Sequence, residues 1–107
     1  MQIEKKKAFD DVIIETVDLV LIDIFGGVGA NIIKQQLKAR YFLDFNVNPL
    51  NKQRFNIGII DLLGSGGDMV LRTIIQYMSK DLGLDPSIRE QDFIEQLIYL
   101  EREYNAS

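Results

Sequence analysis

The stretch Val20-Leu21-Ile22-Asp23-Ile24-Phe25-Gly26-Gly27-Val28-Gly29, residues 20–29, decides the fold. Read as extended backbone, it is a buried strand running into a glycine-rich loop that could hold a nucleotide. A helix over residues 30–38 and a second strand, Arg40-Tyr41-Phe42-Leu43-Asp44, would then follow, with the acid on a ribose. Read at helical spacing, it is the end of an amphipathic helix broken by glycine. Phe9, Ile13, Val17, Val20 and Ile24 fall on one side, opposite Asp11, Glu15 and Asp18. Ile14, Leu19, Leu21 and Ile22 widen the apolar arc beyond a single stripe, so this helix is either central in the fold or shared with a partner chain.

A repeat favours the helical reading. Ile22-Asp23-Ile24-Phe25-Gly26-Gly27-Val28-Gly29 aligns without a gap on Ile60-Asp61-Leu62-Leu63-Gly64-Ser65-Gly66-Gly67, 38 residues later. Each copy leads into an amphipathic segment: Ile33, Leu37 and Tyr41 in the first, Val70, Leu71, Ile74, Ile75, Met78 and Leu82 in the second. Two helix–glycine turn–helix hairpins are therefore expected, with Gly26, Gly27, Gly29, Gly64, Gly66 and Gly67 as turn residues. Asp23 and Asp61 sit at equivalent places on helix C-terminal turns, where the dipole disfavours an anion. Each is expected to accept a hydrogen bond from the backbone of its glycine turn.

The remaining punctuation completes an all-α architecture. Asn46, Asn48 and Pro49 read as a loop. A helix over residues 50–63 carries Phe55, Ile59, Ile60 and Leu63 inward, with Gly58 as a weak point. Asp68 is placed to cap or charge-stabilise the next helix, and Gly83 to stop it. Asp85-Pro86-Ser87 starts the last helix, capped by Asp85 or Ser87. Its Phe93, Leu97, Leu100 and Tyr104 form a narrow seam that must dock on something and are the candidate interaction residues. The expected fold is a compact five-helix domain over residues 8–104, with a flexible segment 1–7 and a tail 105–107.

Composition restricts the chemistry. The 107 residues carry 12 Lys and Arg against 16 Asp and Glu, and no His, Cys or Trp. There can be no Ser-His-Asp triad, thiolate nucleophile, disulfide, or zinc site of the usual nitrogen and sulfur ligands. A Walker-type phosphate loop is excluded because no Gly-Lys-Ser/Thr occurs. The expectation is a non-enzyme with no cofactor, no metal and no small-molecule substrate. A net charge of −4 argues against general nucleic-acid binding. The distribution is uneven, with five bases and one acid over residues 34–54, and six acids and two bases from residue 85 onward. Asn31, Lys34, Lys38 and Arg40 would be the contact residues of a helix-turn-helix DNA reader, the alternative reading. The apolar run 12–25 is interrupted by three acids and is too short to span a bilayer. The polar, Lys-rich residues 1–7 lack a signal-peptide pattern. A cytoplasmic protein is expected, acting as a homodimer or with a partner protein.

Two resemblances bear on function. Residues 20–44, with Asn48-Pro49, look like the opening motif of S-adenosylmethionine-dependent methyltransferases. The chain is too short for that sheet, however, and lacks the Pro-Pro-aromatic catalytic motif. The wider pattern comprises Ala8-Phe9, Phe25-Gly26, Tyr41-Phe42-Leu43, Pro49, Phe55, Leu63-Gly64, Gly66, Leu82-Gly83-Leu84 and the closing Phe93 to Tyr104 helix. It resembles the small all-helical Nitrosopumilus output domain family of ammonia-oxidising archaea. That resemblance implies a regulatory or signalling module without an assigned activity, and it transfers no catalytic residue.

Overall fold

The computed structural model describes residues 7–45, 50–84 and 92–106. The described residues form four helices: α1 (Phe9–Tyr41), α2 (Lys52–Leu63), α3 (Ser65–Leu82) and α4 (Phe93–Ala106). They include no strand, and residues 20–25 are helical, which removes the strand–loop–helix nucleotide reading and with it the methyltransferase resemblance.

The expected first and second helices are one element, α1, interrupted only at Gly26, where φ is 76° and ψ is 169°. An L-residue rarely adopts that backbone, so glycine replaces an entire loop. The break divides α1 into a first arm, residues 9–25, and a second arm, residues 27–41. The arms fold back on each other. Lys34 on the second is ion-paired with Asp18 on the first. A straight helix would hold those two Cα atoms about 24 Å apart, so the turn at Gly26 is sharp. Charge also follows the chain direction, with Asp10 and Asp11 in the first turn and Lys38 and Arg40 in the last.

The second break is equally abrupt. Gly64, at φ 59° and ψ −132°, alone separates α2 from α3. Thus Gly26 and Gly64 are turn residues as expected, whereas Gly27, Gly29, Gly66 and Gly67 lie within helical segments. Gly67 has a packing role there. A Cβ on it would sit 2.6 Å from the Ile59 carbonyl oxygen, so α3 can start against α2 only without a side chain. Gly58 acts similarly. Its Cβ would lie 2.9 Å from Leu37 Cδ2 and 3.2 Å from the Tyr41 ring, so the expected weak point of α2 is where the second arm of α1 crosses it.

Capping is largely local. Asn51 accepts from the Arg54 N–H at 2.9 Å to start α2. Asp68 lies in the first turn of α3, 2.5 Å from Arg72. Gly83 closes α3 in the left-handed conformation, with its N–H on Lys80 and Ser79 carbonyls. Asp92 accepts from the Glu95 N–H at 2.9 Å and caps α4. The expected caps Asp85 and Ser87, and the loop residues Asn46, Asn48 and Pro49, lie outside the described residues.

One apolar core joins all four helices. Ile13, Val17, Val20, Leu21, Leu37, Phe55, Ile59, Val70, Ile74, Met78, Leu97 and Leu100 are essentially inaccessible. Each contributes about 1.5–3 kcal/mol of burial. Rings tie the ends together: Phe55 lies 6.1 Å from both Phe45 and Phe93, and Phe9 lies 5.7 Å from Tyr104. Lys52 at the start of α2 reaches Asp10 of α1 at 3.3 Å and Glu101 of α4 at 3.7 Å. No helix among the described residues is long and apolar enough to cross a membrane.

Candidate interaction surface

The seam on α4 is spent inside the chain. Phe93, Leu97 and Leu100 are buried in the common core. Tyr104 stacks on Phe9, and its hydroxyl donates to the Lys7 carbonyl at 2.5 Å. The expectation that α4 must dock is met within the chain by α1, α2 and α3, which bury Phe93, Leu97 and Leu100 and partly cover Tyr104.

The wide apolar arc of α1 divides differently. Leu21 is buried and Ile14 is partly covered, but Leu19 and Ile22 stay exposed. Around the Gly26 break they are joined by Phe25, Val28 and Ile32, of which Val28 is 78% exposed. Half of the ten exposed large apolar side chains among the described residues thus fall within residues 19–32. No charged residue occurs from Ile24 to Ile33. The elbow therefore presents exposed apolar side chains that are free of charge from Ile24 to Ile33 and flanked on the first arm by Asp18 and Asp23. Leu19 and Ile22 stand out in the sequence as excess apolar positions on α1. The parts played by Phe25, Val28 and Ile32 depend on the backbone turn at Gly26, and the signal that marks them is the charge-free run itself.

Asp23 and Asp61 are held by tyrosines. The Tyr77 hydroxyl of α3 donates to Asp23 of the first arm at 2.9 Å. The Tyr41 hydroxyl of the second arm donates to Asp61 of α2. The partners are thus side chains of the opposite hairpin and not the glycine-turn backbone. Each tyrosine is pushed above its ordinary pKa of 10, first by the hydrogen bond to its carboxylate. A neutral phenol donates that bond and a phenolate cannot. These pairs brace the two hairpins across their contact.

The basic residues of the second arm are largely matched by acids. Lys34 pairs with Asp18, and Lys38 lies 3.7 Å from Asp44. Asn31 and Arg40 are exposed on the same arm. The shallow recess bounded by Asn31, Lys34, Gln35 and Lys38 also contains Asp44, so an entering phosphate would meet an acid. Among the described residues, no group of three or more His, Cys, Asp or Glu side chains could hold a metal ion. No protein-family model, no curated protein and no solved structure matches the chain.

Proposed function

We propose that the chain is a non-catalytic protein-interaction module that pairs with a second copy of itself through the α1 elbow. The observation carrying this reading is the group of exposed apolar side chains Leu19, Ile22, Phe25, Val28 and Ile32, of which the last three lie in a stretch without charge. Contiguous apolar surface of this kind marks interaction sites on small domains. The charge-free stretch Ile24–Ile33 suits a self-complementary two-fold contact, because two acidic chains can meet across it without like charges face to face. The archaeal regulatory or signalling setting follows the resemblance to the Nitrosopumilus output domains. DNA reading by Asn31, Lys34, Lys38 and Arg40 is disfavoured by the acids beside the two lysines.

The two hairpins are proposed to be pseudo-equivalent halves, with α4 as an added fifth helical segment when the arms of α1 are counted separately. Positions 38 residues apart support this. Leu19 and Ile57 are both exposed, as are Ile22 and Ile60, while Leu21 and Ile59 are both fully buried. Gly26 and Gly64 both have positive φ. The two Asp–Tyr braces run reciprocally between the halves.

Multi-angle light scattering tests the pairing. The wild-type chain is expected to run as a dimer at tens of micromolar. Ile22→Asp/Val28→Asp is expected to run as a monomer with an unchanged helical circular dichroism spectrum, since both positions are exposed in the single chain. A wild-type monomer throughout that range contradicts the reading.

A further inference from the structure

We propose that the groove between α2, α3 and α4 binds a free α-amino acid with an apolar side chain and releases it unchanged. This site lies apart from the elbow and does not depend on self-association.

The groove has a volume of about 580 Å³, within the range of small-molecule sites. Its floor is apolar, formed by the nearly buried Leu71 and Ile75 of α3 and Phe93 of α4. Asn56 of α2 and Gln76 of α3 also line it, and their side-chain amides bond to no other described residue. Arg72 and Asp68 border it as an ion pair one turn apart on α3. Asp92 borders it too, with its carboxylate engaged on the Glu95 N–H at the start of α4.

The first hairpin shows what this groove lacks. There Lys34 reaches across to Asp18 and ties the two arms together. Arg72 and Asn56 stand 38 residues after Lys34 and Asp18. A neutral amide thus takes the acid's place, and Arg72 turns back to Asp68 on its own helix. That pair is largely in water, with side chains 75% and 55% exposed, so opening it costs little. An incoming carboxylate accepts from the Arg72 guanidinium and the Asn56 amide, in the role that Asp18 fills in the first hairpin. Asp68, released from Arg72, then accepts from an ammonium group. An anion with no ammonium would meet Asp68 and Asp92 unrelieved, and a cation with no carboxylate would displace Arg72 with nothing in return. An α-amino acid at neutral pH carries both charges side by side, and its apolar side chain covers Leu71, Ile75 and Phe93.

Methyl nuclear magnetic resonance at fixed protein concentration tests this, with leucine, methionine and phenylalanine as probes. At least one is expected to shift Ile60 and Ile75 saturably in the millimolar range, while Ile32 at the elbow holds still. The amide of that amino acid lacks the carboxylate, and its N-acetyl form lacks the ammonium. Each is expected to bind about tenfold more weakly or worse, having lost a charge-assisted contact. Arg72→Gln is expected to weaken binding by a similar factor without disturbing the fold, since the side chain is exposed. Asn56→Asp gives the second hairpin the acid that Asp18 gives the first, and is expected to abolish the response with an unchanged circular dichroism spectrum. Absence of a saturable shift with all three amino acids overturns the proposal. Equal binding of the amide or N-acetyl form overturns it too, as does an Arg72→Gln or Asn56→Asp chain that binds like wild type. Should Asn56→Asp fail to fold, the probe series and Arg72→Gln decide the matter alone.

Discussion

At Gly67 a methyl group would meet backbone, and backbone cannot step aside as a long side chain can. Gly67→Ala is therefore expected to lower stability by about 1–3 kcal/mol in urea unfolding, despite the better helix propensity of Ala. Ser79 is the opposite case. Its Oγ is buried with no hydrogen-bond partner among the described residues, so Ser79→Ala is expected to be neutral or stabilising in the same assay. The tyrosine braces give a pH dependence of definite sign. The raised pKa values of Tyr41 and Tyr77 mean that the folded chain holds those protons more tightly than the unfolded one. Their contribution is complete below about pH 10 and is lost as pH climbs through the folded values. Denaturation midpoints should fall above about pH 10 in wild type, and less steeply in Tyr41→Phe/Tyr77→Phe. The tyrosine partners of Asp23 and Asp61 lie 54 and 20 residues away in sequence, so the neighbouring glycines are the only partners that the local sequence shows.

At the scale of single elements, apolar spacing marks the helical stretches of the four described helices, because each buries one face in the same core, but it divides α1 into two. Stops written in local chemistry were also legible, as at Gly83, whose left-handed conformation closes α3. Two readings depended on tertiary context. The glycine run 26–29 looked like a loop between two helices, yet Gly26 alone supplies the turn and its neighbours stay helical. The α4 seam looked available to a partner, because a periodic pattern shows that a face must be covered without showing by what. Leu97 is the discriminating residue. It is 1% exposed within one chain, so Leu97→Ala should cost about 2–5 kcal/mol of stability in the monomeric Ile22→Asp/Val28→Asp background as well. A loss seen only where dimers form would instead place Leu97 at the interface.

Among the described residues, the four helices share a common core and leave half of their exposed large apolar side chains at the elbow of the longest helix. That location was only half visible in the sequence. The excess apolar residues of α1 could be counted, but which of them reach water depended on how the arms fold at Gly26. The most direct measurement is methyl nuclear magnetic resonance over a dilution series. Leu19, Ile22, Val28 and Ile32 are predicted to shift with concentration, while Ile57 on α2 and Ile98 on α4, also exposed, hold still. Concentration-independent spectra at all six, or shifts led by Ile57 and Ile98, would contradict the account.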